Sequence, residues 1–166
     1  QNKKIINRIN KSFQSKMKKI FSILLIFICA SSSSYSKEIK RIVVGNVNAK
    51  ISIIAFESMT CSHCADFHKN VFPKLKEEYL DTGLAKIEFR HFPLDIAALN
   101  ASKVSQCKND GNSDILESLY ANQQKWVKGS TIKEANKNLQ KFLKSEGFSI
   151  DFDSCINNQE IEDFVL

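Results

Sequence analysis

The feature that most narrows what this chain can fold into is a short apolar run that ends in a pair of cysteines. Ile51–Phe56, "ISIIAF", is apolar and β-branched, the composition of a strand buried on both faces. It is followed at once by "ESMTCSHCADFH", where two residues separate Cys61 from Cys64. Beyond Ser62 the pattern turns helical. Ala65, His68, Val71, Phe72, Leu75 and Tyr79 recur at steps of three and four, which predicts a helix over 62–80. Pro73 falls inside it and should kink it, and Gly83 supplies a stop. "LAKIEFRHF" then alternates Ile87 and Phe89 with Lys86, Glu88 and Arg90, as a strand with one drier face does. Two strands joined by a helix run parallel, through a right-handed crossover. The chain is therefore held to an α/β class, with its cysteine pair at a strand–helix junction.

The flanks add one strand before this unit and only helices after it. Ile39–Val44 is a short β-branched run ended by the turn residues of "GNVNAK". After "FPLD", Ile96–Lys108 reads as a helix closed near Gly111. Ser113–Val127 reads as another, with Ser113 as N-cap and Ile115, Leu116, Leu119, Tyr120 and Trp126 on its buried side. Thr131 and Glu134 form a capping-box pattern for a helix that reaches Lys144, with Gly147 beyond. A turn at Phe152–Ile156 and a helical start at Gln159–Leu166 follow. Trp126 is expected in the helical core, His68 as a packed or surface helix residue, and His91 in a structural place at a strand end.

The net charge of +6 suggests nucleic acid until its distribution is read. Seven of the 24 basic residues precede Phe21, and no acidic residue precedes Glu38. From Lys37 onward, 17 basic residues meet 18 acidic ones, which excludes a basic nucleic-acid surface for the mature chain as a whole. "MKKIFSILLIFICASSSSYSK", opening at Met17, has the charged start, apolar run and small residues of a secretory signal peptide. Its apolar run, Ile20–Ala30, is too short to cross a bilayer comfortably, so contact with the membrane is expected only through this transient segment. The expected division is an upstream extension over 1–16, a signal peptide over 17–36, and a mature chain exported to the periplasm. Cys29 leaves with the signal peptide. The four remaining cysteines, Cys61, Cys64, Cys107 and Cys155, are an even number in an exported chain, which suggests oxidised pairs.

A C-x-x-C that opens a helix has a chemical rationale. At the helix N-terminus, unpaired backbone N–H groups and the helix dipole favour negative charge, so the Cys61 thiolate is stabilised and its pKa lowered. His63 can add a hydrogen bond or positive charge. Cys64, one turn in, is placed to act as the resolving thiol. The rival reading is a metal clip: Cys61, Cys64 and His68 are spaced like three ligands, with His63 or His91 as a fourth. A structural zinc site wants four ligands, no second C-x-x-C or H-x-x-x-H cluster exists, and an oxidising compartment works against free thiolates. Redox chemistry is expected, with neither metal nor cofactor.

"FESMTCSHCADFH", the helix after it, "IEFRHFPLD" and the helical run carrying Trp126 together resemble the DsbA-like branch of the thioredoxin superfamily, over about Val44 to Leu166. The resemblance implies a thioredoxin-like fold with an inserted helical domain. On that frame 37–94 is the N-terminal half of the thioredoxin-like domain and 95–166 the helical insertion. It implies thiol–disulfide exchange, with Cys61 as nucleophile, Cys64 as resolving thiol and His63 stabilising the thiolate. Reduced exported proteins would be the substrates, and a quinone-linked membrane protein would reoxidise the pair. Ser62 stands where the best-known members carry proline, so the oxidising strength is not set by the resemblance. Some alpha-proteobacterial members carry a second cysteine pair, and Cys107 and Cys155 are expected to form a structural disulfide; two buried free thiols are the alternative. The family also has further strands and a cis-proline loop facing the C-x-x-C. Neither Pro73 nor Pro93 stands in that place, so the chain is expected to be truncated before them. An inactive remnant, or a non-catalytic binding module of the same fold, is the alternative to an enzyme.

Overall fold

The computed structural model of the protein describes residues 38–166. The upstream extension, the signal peptide and Cys29 lie outside the described residues. Three strands form one sheet: β1 (Ile42–Gly45), β2 (Ile51–Glu57) and β3 (Ala85–His91), in the order β1-β3-β2. β3 is central. It pairs antiparallel with β1, Ile42 opposite Phe89, and parallel with β2, from Ile51 opposite Ala85 to Glu57 opposite His91. Ala85, Ile87 and Phe89 alternate inward along it. Gly45 ends β1 at φ +100°, where a Cβ would lie 2.6 Å from the Ala85 carbonyl oxygen. Both the backbone angle and the space require glycine there.

β2 departs from the sequence reading. The apolar run suggested burial on both faces, but among the described residues β2 is an edge strand. Ile51 is 57% exposed, Ile54 46% and Phe56 62%. A β-branched run reports strand propensity but not which neighbour covers it.

The crossover starts with α1 (Ser62–Asn70). It breaks at Val71 and restarts as α2 (Phe72–Leu75), which widens into a π-helical turn over Lys76–Leu80. Where the sequence predicted one kinked helix, there are two. Pro73 occupies the first turn of α2, where its missing N–H leaves no intrahelical bond unmade. Asp81 N donates to the Lys76 carbonyl 2.8 Å away, closing the wide turn.

Six helical pieces follow: α3 (Ile96–Gln106), α4 (Asp114–Ala121), α5 (Gln123–Trp126), α6 (Ile132–Ser145), α7 (Phe152–Ile156) and α8 (Gln159–Val165). α3 is their axis. Asp95 caps it by accepting from Ala98 N at 2.7 Å, and its Ala98, Ala101, Ser102 and Val104 are fully buried, small enough for α4, α6, α7 and α8 to close around them. The expected helix over Ser113–Val127 is interrupted at Asn122. The buried Trp126 indole N–H donates to the Leu119 carbonyl oxygen at 2.8 Å, an acceptor that a continuous helix would give to the N–H of residue 123. The capping box of α6 is present in altered form. Thr131 Oγ1 accepts from Glu134 N at 3.2 Å, and Glu134 reaches back to the N–H of Ser130 rather than Thr131. Lys103, buried in α3, pairs with Glu162 of α8 at 2.5 Å.

Cys107 and Cys155 are joined by a disulfide with their Cα atoms 5.6 Å apart, tying the end of α3 to α7. The sheet and helices share one hydrophobic core, running from Ile87, Phe89 and Phe72 to Leu119, Trp126 and Leu139. Among the described residues no helix is long and apolar enough to cross a membrane. The bridge spans 48 residues of chain, so on the chain-entropy account replacing both cysteines with alanine should lower stability by about 4 kcal/mol. Urea denaturation of the two proteins measures this; equal unfolding free energies would show that the bridge restricts nothing.

Candidate active site

β2 ends at Glu57 and α1 begins at Ser62, so the residues between them must turn from strand to helix in four steps. Hydrogen bonds fix this loop from several sides. Phe92 N donates to the Glu57 carbonyl at 2.8 Å, Leu94 N to Ser58 Oγ at 3.3 Å, and Thr60 Oγ1 to Asp95 Oδ2 at 2.7 Å. Met59 is fully buried in the core below. From the helical side, Gln123 Nε2 donates to the carbonyl oxygens of Met59 and Cys61, both at 2.9 Å.

Cys61 is the N-cap residue of α1, extended at φ −74° and ψ 120°, and no acidic side chain occupies the first turn. The positive end of the helix is therefore left to the cysteine. The backbone N–H of Cys64 is the largest influence on Cys61 and, with the Cys64 thiol and the His63 N–H, lowers its pKa despite some burial. Cys64 is pushed the other way, to about 11, chiefly by burial; its bond to Cys61 and the negative charge of Glu57 act in the same direction. Both are free thiols. The pair is thus one sulfur prepared to be an anion and one prepared to keep its proton.

His63 acts on Cys61 through its backbone N–H. Its side chain is exposed and lines an apolar groove of about 360 Å³ with Ile53, Phe56, Cys64 and Phe67. His68 lies buried beneath the pair, with Nε2 2.7 Å from Glu57 Oε2. Its ring stacks on Tyr120 at 4.1 Å and 11° and also meets Phe72 and Phe89. One ring nitrogen of His68 thus faces a carboxylate. His91 ends β3 opposite Glu57 and beside Ser105, and burial lowers its pKa to about 4. Among the described residues no three His, Cys, Asp or Glu side chains are gathered to hold a metal. Trp126 is buried in the helical core.

The sequence reading did not single out Glu57, Asp95 or Gln123. Glu57 carried the one available signal, an acidic residue on the apolar strand that leads to the cysteines. Gln123 and Asp95 meet the loop from 62 and 35 residues away, and no local pattern encodes that.

A dithiol at the end of a parallel strand, on the first turn of a crossover helix, with a helical segment closing over it, defines a thioredoxin-like protein with a helical insertion. Residues 37–166 match the thioredoxin family profile, and the chain belongs to that family, in its DsbA-like branch. The crystal structure of Wolbachia pipientis alpha-DsbA1 is 33% identical and superposes with a TM-score of 0.66, covering 79% of this chain and 66% of that one. A Rickettsia bellii protein named "Putative protein-disulfide oxidoreductase" is 36% identical over 94 residues, 55% of this chain and 36% of the relative. Disulfide bond formation protein D of Bacillus subtilis is 26% identical over 136 residues, 70% and 61% of the two chains. The chain thus spans well under half of the Rickettsia relative's length.

The two thiols should react unequally. Near pH 7, limiting iodoacetamide is expected to alkylate Cys61 well before Cys64, because the thiolate is the reacting form. Peptide mass mapping reads the sites. Equal labelling of both would refute the asymmetry.

Proposed function

We propose that the chain is a thiol–disulfide oxidoreductase that oxidises cysteine pairs of exported proteins in the periplasm, working through Cys61 and Cys64. The observation that carries this reading is the placement of the two sulfurs, Cys61 at the N-cap of α1 and Cys64 in its first turn, which tunes them in opposite directions, Cys61 down and Cys64 up to about 11. In the oxidised pair, a substrate thiolate attacks Cys61 Sγ. The Cys61–Cys64 bond breaks, its electron pair goes to Cys64 Sγ, and Cys64 takes a proton. The substrate's second thiolate attacks the substrate sulfur of the mixed disulfide and expels Cys61 as a thiolate. The substrate leaves as a disulfide, having lost two electrons, and the Cys61–Cys64 pair has gained them. Stabilising the departing thiolate favours this direction, since a low-pKa thiol leaves faster and stabilises the reduced state. The cycle needs no cofactor. It closes by passing the electrons to a quinone-linked membrane protein.

The names of the relatives support the exchange chemistry. Cys61 at the helix start, with the backbone N–H groups of His63 and Cys64 on its sulfur, supports its role as nucleophile. The test is oxidation of a dithiol peptide by the oxidised protein, with Cys61→Ser as the comparison. Loss of essentially all oxidation in the variant is expected; equal rates would end the proposal. Equilibration with glutathione then sorts oxidase from isomerase or reductase.

A further inference from the structure

The interruption at Asn122 delivers a side chain to the active-site loop. Asn122 adopts φ −121° and ψ 22°, and Gln123 opens α5 directly after it. The Leu119 carbonyl accepts from the Trp126 indole, where an unbroken α4 would give it the Gln123 N–H. The Gln123 side-chain amide meets the carbonyl oxygens of Met59 and Cys61, 2.9 Å from each. One amide has two N–H bonds to give, and here a single nitrogen grips the two carbonyls that bracket Thr60. The Cys61 carbonyl also accepts from Ala65 N at 3.2 Å, the first bond of α1.

We infer that Gln123 is a positioning residue for the Cys61 sulfur: by holding the Met59 and Cys61 carbonyls it fixes the peptide planes at the strand-to-helix turn. Those planes set how the N–H groups of His63 and Cys64 face Sγ. Cys61 is extended while Ser62 is already helical, so the turn is concentrated at one residue and a small rotation there swings the sulfur. Thr60 is held separately by Asp95, and the Cys61 carbonyl already carries the first bond of α1, so Gln123 ties the Met59 carbonyl to the start of the helix. Gln123 touches neither sulfur and acts only through the backbone. The inference rests on the exchange reading for its purpose, though not for its measurement.

The test is the titration of Cys61 followed by thiolate ultraviolet absorbance in Cys64→Ala proteins, with no substrate present. Gln123→Met keeps the volume and removes both N–H donors. Gln123→Leu removes the same donors and adds no charge. Both are expected to raise the Cys61 midpoint by roughly half a unit or more, the scale of one displaced neutral hydrogen bond, and to slow alkylation below the midpoint about threefold or more. Gln124→Ala, at the exposed neighbouring position, should titrate like wild type. If Gln123→Met melts earlier but titrates like wild type, the role is only structural and the inference falls. Should that variant not fold, Gln123→Leu decides on the same readout. A wild-type protein that oxidises no dithiol peptide, yet shows the Gln123-dependent titration, would end the exchange reading and keep the positioning.

Discussion

The parallel pairing of β2 with β3 is the constraint from which the rest follows. Parallel neighbours cannot be joined by a tight turn, so the chain leaves the end of β2, crosses by α1 and α2, and returns at the start of β3. A helix must therefore begin where β2 stops. Its first backbone N–H groups have no partners within the helix, and Cys61 stands at that point. The same register sets Glu57 opposite His91, bringing the end of β3 and the "FPLD" turn alongside the loop, where Leu94 and Asp95 can hold Ser58 and Thr60. The properties of one sulfur thus descend first from a backbone topology, which sets a helix start at Cys61.

A second layer of control is polar and buried. Glu57 and His68 form a short bond inside a wall of Phe67, Phe72, Phe89 and Tyr120. Its carboxylate is near enough to raise both thiols, in opposition to the helix start. Cys61 is lowered because the N–H groups outweigh that charge. Cys64, more enclosed, has burial and charge acting together. Neutral donors at the helix N-terminus and the deeper burial of Cys64 thereby separate two chemically identical groups.

Much of this was legible in the sequence. The strand, the cysteine pair, the crossover and β3 announce themselves through local periodicity, as do the helices that bury Leu116, Leu119, Leu139 and Leu143. What escaped depends on distant partners. Ile51–Phe56 looks like a doubly covered strand because β-branched composition is blind to which edge is paired. The apolar spacing of Ser113–Val127 continues across Asn122 because the residues on either side still face one core; the break is accompanied by a bond between the Trp126 indole and a carbonyl seven residues back, which no local pattern encodes. His68 lies on the apolar face that the helical period predicted, and its carboxylate partner, eleven residues earlier, is on a different element.

Lys103 and Glu162 show a different way of seating an element. The lysine is 2% exposed, in a helix whose buried face is mostly small side chains, and among the described residues its ion-pair partner comes from α8. Apolar contacts alone would let α8 slide or rotate by small steps at little cost. A sealed ammonium does not allow this, because any position of α8 that withdraws the carboxylate strands a charge away from water. α8 is thus keyed by an electrostatic pin, and its placement is closer to all-or-none than graded.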